Sequence, residues 1–129
     1  SEIETSTAYY NEKQETILFL EPLPSLQDFK EWRKRFYHQI AIGSGQYEHG
    51  LKWIRTIDGA SSLEDLSYEE PEWQFYSFSL ALQLWKIISG DIKEEILLVE
   101  DEFQSRKCTL NGRQTAWIIR KYYGFLYFM

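Results

Sequence analysis

A chain of 129 residues with 43% apolar side chains, among them five Trp, nine Tyr and eight Phe, has material for one hydrophobic core and reads as one domain. The net charge of −6, from 20 acidic and 14 basic side chains, argues against a dedicated nucleic-acid binder, which must neutralise phosphates, and leaves room only for a local basic patch. A single cysteine, Cys108, excludes an internal disulfide, residues 1–16 do not read as a signal peptide, and no apolar run approaches the ~18–20 residues of a membrane span. A cytoplasmic chain with no membrane partner is therefore expected.

Residues 1–16 have few apolar side chains and no period, which predicts a flexible N-terminal arm and leaves 17–129 as a single helical domain. Ile17 to Leu20 is a short apolar run that reads as an extended segment laid on the helical body, ended by Pro22 and Pro24. Ser25 suits the cap of a first helix, in which Leu26, Phe29, Trp32, Phe36 and Ile40 recur at spacings of three and four. Lys30, Arg33, Lys34 and Arg35 lie mainly off that face, and Gly43-Ser44-Gly45 stops the helix. A shorter helix is predicted from about Gln46 to Ile57, with Tyr47, Leu51, Ile54 and Ile57 in register and Asp58-Gly59 at its end. Ser61 with Glu64, and Ser62 with Asp65, make two capping-box patterns that predict one short helical turn. Tyr68 to Glu72 reads as an acidic loop, with Pro71 suited to the first turn of the next helix.

Residues 72–89 have the most buried character in the chain. Phe75, Phe78, Leu82, Trp85 and Ile88 form one stripe, and Leu80, Leu84 and Ile87 a second. A helix apolar nearly all round belongs in the middle of a bundle. Gly90 ends it and Asp91 caps the next, with Glu94 three residues on. Ile92, Ile96, Val99 and Phe103 then line an inner face, while Lys93, Glu95, Asp101 and Glu102 lie outside. Asn111 and Gln114 form a capping pattern that opens a last helix carrying Trp117, Ile118, Tyr122 and Phe125. Helical periods dominate and no alternating strand pairs appear. The expected fold is all-α: a compact bundle of about five to six helices with a short extended N-terminal arm.

Little in the sequence announces chemistry. His38, His49 and Cys108 fall on separate predicted elements with no family spacing, and no zinc or calcium ligand pattern is present. Adjacent carboxylates point in different directions, so Glu69-Glu70, Glu72 and the run Glu100-Asp101-Glu102 read as solvated faces. No catalytic residue, metal or cofactor is expected. Lys30, Arg33, Lys34 and Arg35 are a candidate contact face for RNA or an acidic neighbour, against the plainer reading of a solvated helix side. Trp32, Phe36, Phe75, Phe78, Trp85 and Trp117 read as core aromatics. Phe125 to Met129 is apolar on every side of a helix, which suits a docking surface or a junction with further polypeptide.

Three stretches follow one another in a telling order. Leu23-Pro24-Ser25-Leu26-Gln27-Asp28-Phe29-Lys30-Glu31-Trp32 comes first, then Leu51-Lys52-Trp53-Ile54-Arg55-Thr56-Ile57, and last the Leu-x-Gly-Arg-Gln-x-x-Trp-x-Ile element from Leu110 to Ile119. From about Leu20 to Tyr123 the chain resembles the Gag polyprotein of copia-type LTR retrotransposons. The resemblance implies a structural protein, the N-terminal domain of a helical two-domain capsid region that forms virus-like particles around the element's RNA. Its partners would be copies of itself, held by weak repeated contacts. RNA contact would be weak or indirect, because the Cys and His spacing of a zinc knuckle is missing here. On this reading self-association or domain docking falls to the surface carrying Trp53, to the face around Trp32 to His38, or to Phe125, Leu126, Tyr127, Phe128 and Met129. A reading from another class is a small acidic helical binding module, of inhibitor or immunity type, with a basic protein partner. An enzyme using His38 or His49 is a third.

Overall fold

The helical periods become five α-helices in a computed structural model that describes residues 20–127, with side chains to residue 124. They are α1 (Phe29–Gly43), α2 (Tyr47–Gly59), α3 (Pro71–Ile87), α4 (Gly90–Ser105) and α5 (Gly112–Tyr127), with 3₁₀ turns at Leu26–Asp28 and Leu63–Leu66. No strand occurs among the described residues, so the fold is an all-α bundle. The expected arm over 1–16, the run 17–19, and Phe128 and Met129 lie outside the described residues, as do the side chains of Phe125, Leu126 and Tyr127.

Helix α1 buries Trp32, Phe36 and Ile40, with Phe29 half-buried, as their spacing predicts. Its inner face begins later than expected, because Leu26 sits in the 3₁₀ turn and is 39% exposed. The Ser25 hydroxyl donates to the Asp28 carboxylate at 3.0 Å and caps no backbone N–H. The chain turns after α1 at Gly45, whose φ of 75° lies in the left-handed region that glycine reaches without steric cost. Helix α2 folds back along α1, and α5 packs on α3 and reaches α2. Between them Ile40, Ile54, Leu80, Leu84 and Ile96 are completely buried. Each such side chain contributes about 1.5–3 kcal/mol of burial. The Tyr76 hydroxyl crosses this core and donates to the Ile40 carbonyl at 2.5 Å.

Two expectations are corrected here. Helix α3 is not enclosed. Its buried side is Tyr76, Ser77, Ser79, Leu80 and Leu84; of the first stripe read as core, Phe75, Phe78 and Leu82 face outward, 49%, 42% and 66% exposed, while Ile88 is buried and Trp85 packs against the core. The small Ser77 lets the start of α5 approach closely on the inner side, where Gly112 meets Ser77 and Leu80. Helix α4 starts at Gly90 after Ser89, so Asp91 lies in its first turn and does not cap it. There Ile92, Ile96 and Phe103 face inward, while Leu97 and Leu98 are 41% and 71% exposed.

Candidate functional site

The stretch richest in sequence signal turns inward. From Leu110 to Ala116 every residue is buried, including Asn111, Arg113, Gln114 and Thr115. Buried polar groups must find partners, and these do. The Asn111 side-chain oxygen accepts from the Gln114 N–H at 2.8 Å, and the Gln114 side-chain oxygen accepts from the Asn111 N–H at 3.0 Å. This is the reciprocal capping box that the spacing of Asn111 and Gln114 predicts. Both amides then use their NH₂ groups on the Leu63–Leu66 turn. Asn111 donates to the Leu66 carbonyl at 2.8 Å, and Gln114 to the Leu63 carbonyl at 3.0 Å. The Gly112 N–H donates to the Ser77 hydroxyl at 2.9 Å, and Trp117 Nε1 to the Ala60 carbonyl at 3.2 Å.

Arg113 reaches furthest. One guanidinium nitrogen donates to the Thr56 hydroxyl at 2.9 Å, and another to the Tyr68 carbonyl at 2.6 Å while pairing with the Glu69 carboxylate. The ion pair is nearly dry, with Arg113 and Glu69 side chains 10% and 5% exposed. Glu69 was expected in a solvated acidic run, so its burial is a correction. Its partner lies too far along the chain for local spacing to reveal it. Burial pushes the Glu69 carboxyl above the ordinary glutamate range, although Ser77, Arg113 and Trp53 pull it the other way. Trp53 Nε1 donates to Glu69 at 3.4 Å, and its ring stacks on Trp73 at 4.9 Å under the Arg113 guanidinium. Trp53 thus lies beneath its surface rather than on it. Above it opens a groove of about 590 Å³, rimmed by Glu48, His49, Lys52, Glu70, Glu72 and Trp73.

The basic face divides. Arg35 is tied to the Glu21 carboxylate at 3.0 Å, Lys34 is exposed, and Arg33 lies over the Tyr37 ring. Lys30 and Arg33 line a second groove of about 880 Å³, and Arg120 of α5 joins them there. No sequence signal links Arg120 to α1, because only packing brings them together. The groove walls include Leu26, Phe29 and Tyr123. The Phe29 and Tyr123 rings stack at 4.1 Å, and the Tyr123 hydroxyl donates to the Pro24 carbonyl at 2.6 Å. Asp58 holds Arg120 at 3.0 Å and accepts a 2.5 Å hydrogen bond from Tyr37.

His38 and His49 line different grooves, and exposed Cys108 lines neither. His38 shares a 2.5 Å hydrogen bond with Tyr47. Among the described residues no group of three His, Cys, Asp or Glu side chains is placed to hold a metal ion, and no helix is long and apolar enough to cross a membrane. Comparison with protein-family models, curated proteins and solved structures gave no match.

Proposed function

We propose that this chain is a structural protein that works by self-association, the capsid N-terminal domain of a copia-type retrotransposon Gag. The observation that carries the reading is the outward stripe of α3. Phe78 and Leu82 are 42% and 66% exposed on the side of the helix opposite Leu80 and Leu84. Exposed apolar stripes of this kind mark interaction surfaces. The buried polar stitch agrees with it: Asn111, Arg113 and Gln114 are spent on holding the helices together, which suits a rigid building unit. Arg113 and Gln114 belong to one of the three stretches that carry the resemblance to Gag, and their structural employment fits a domain whose task is its own shape. Shell contacts of this type are individually weak and gain strength by repetition.

Light scattering and negative-stain microscopy on concentrated protein test this. Concentration-dependent oligomers or particles are expected. A strictly monomeric species, with any downstream domain restored, overturns the reading. A reading frame that continues past Met129 into protease and polymerase sequence would support it independently.

One observation favours a second reading, a binding module for a basic protein. The groove over Trp53 and Trp73 carries Glu48, Glu70 and Glu72 against Lys52. A purified basic partner bound at one-to-one stoichiometry, and lost with Glu70→Lys and Glu72→Lys, would select it.

A further inference from the structure

Leu98 is 71% exposed on α4, and its four helical neighbours at i−4, i−3, i+3 and i+4 are Glu94, Glu95, Asp101 and Glu102, all exposed. Residues at these spacings share one face of a helix. The outer face of α4 is thus an apolar knob among four carboxylates, of which Glu102 is partly neutralised by Arg106 at 3.9 Å, so Glu94, Glu95 and Asp101 supply most of the negative field. Clustered like charges on one helix face repel, a cost that folding alone does not require.

The opposite shape lies elsewhere on the molecule. The groove between α1 and α5 has Leu26, Phe29 and Tyr123 in its walls and Lys30, Arg33 and Arg120 beside them. No carboxylate is among its lining residues as described. Arg120 is partly neutralised by Asp58, so Lys30 and Arg33 supply most of its positive field.

We infer that the outer face of α4 docks into the α1–α5 groove of a second copy, with Leu98 seated against Leu26 and Phe29 and the flanking carboxylates facing Lys30 and Arg33. The inference rests on the self-association reading and names its contact. Charge complementarity chooses the occupant: knob and groove are opposite in sign and both have an apolar centre. RNA fits less well, because two largely unneutralised cations in an apolar-walled groove on a chain of net charge −6 offer little to a phosphate backbone. The two faces differ, so the contact is heterologous and propagates into rings or chains unless rotation closes it.

Sedimentation equilibrium of the full 129-residue chain tests this with one-sided variants. Lys30→Glu with Arg33→Glu spoils the groove, and Leu98→Asp spoils the knob without touching the core. Each variant alone is expected to associate on the order of tenfold or more weakly than the native chain, since opposed charges suppress docking. Mixed together they are expected to form one-to-one dimers and nothing larger, because one supplies an intact knob and the other an intact groove. Added salt is expected to weaken the native association. Circular dichroism melts confirm that the variants fold, and Leu98→Asp keeps the test open if the groove variant does not. Native-like association of both variants overturns the inference and leaves self-assembly through another face standing. A native chain that stays monomeric at every concentration removes the self-assembly reading and the inference together. Loss of binding to a homopolymeric RNA in the groove variant, with sedimentation unchanged, assigns the groove to RNA instead.

Discussion

Gly112→Ala gives the sharpest test of the buried stitch. A Cβ at this position would lie 2.3 Å from the Ser77 carbonyl oxygen and 2.8 Å from the Leu80 Cβ. The first contact is with backbone, so rotamer changes cannot relieve it, and α5 must back away from α3. Overpacking of this kind costs about 1–3 kcal/mol. The retreat also stretches the 2.9 Å bond from the Gly112 N–H to Ser77, worth about 1 kcal/mol. Alanine's helix preference returns at most about 1 kcal/mol and less at a helix start. The net expectation is a loss of about 2–3 kcal/mol, or a fall in urea midpoint on the order of 1–2 M for a domain of this size. Gly124→Ala is the control. It sits inside α5 with nothing within 4 Å of the added methyl, so it is expected to stabilise by about 0.5–1 kcal/mol. Equilibrium urea unfolding followed by tryptophan fluorescence reads both. A Gly112→Ala protein within about 0.5 kcal/mol of the native chain would show that α3 and α5 do not meet through Gly112.

Arg113→Lys keeps the charge but cannot bridge Thr56, Tyr68 and Glu69 at once, and is expected to cost about 2–4 kcal/mol in urea unfolding. Arg113→Met with Glu69→Gln is expected to cost less than the sum of the two single changes by about 1–3 kcal/mol, and additivity would refute a coupled buried pair. Tyr37, Tyr76 and Tyr123 are all pushed above the ordinary tyrosine range by burial, Tyr37 with added help from Asp58. Their neutral forms favour the folded state, so that stability is intact below about pH 10 and is lost as pH climbs through the higher folded values. An ultraviolet phenolate titration is expected to show these three ionising only as the chain unfolds; their early reversible ionisation in the folded chain would contradict their burial. Leu82→Ser is expected to change stability by no more than about 0.5 kcal/mol while reducing light scattering of concentrated protein, whereas buried Leu84→Ala is expected to cost about 2–5 kcal/mol.

How far the sequence reached depends on where each signal resides. Helix positions were legible because a three-and-four spacing is a local property: Trp32, Phe36 and Ile40 lie within three turns of one another, and so do Ile92, Ile96 and Phe103. The capping box of Asn111 and Gln114 was legible for the same reason, since both ends of it fall within one helical turn. Helix α3 marks the limit. With apolar residues on nearly every side, periodicity establishes the helix but cannot say which stripe faces in. The deciding feature is Ser77, small enough to admit Gly112 and the start of α5. That preference depends on an element 35 residues away in the case of Ser77 and Gly112, and no window along the chain contains it. The polar partners were hidden likewise. Arg113 reads as one more surface arginine until Thr56 and Tyr68, 57 and 45 residues back, are brought beside it. A buried charge therefore announces itself only through its partner. The α1–α5 groove belongs to the same class, because Lys30 and Arg33 become the sides of a cleft only when Arg120 arrives from the other end of the chain. Side chains that hold the fold together and side chains left facing outward look alike in one dimension. Around an apolar core the fold also draws Asn111, Arg113 and Gln114 inside and leaves Phe78, Leu82 and Leu98 out, and those outward apolar side chains are the ground on which self-association is proposed.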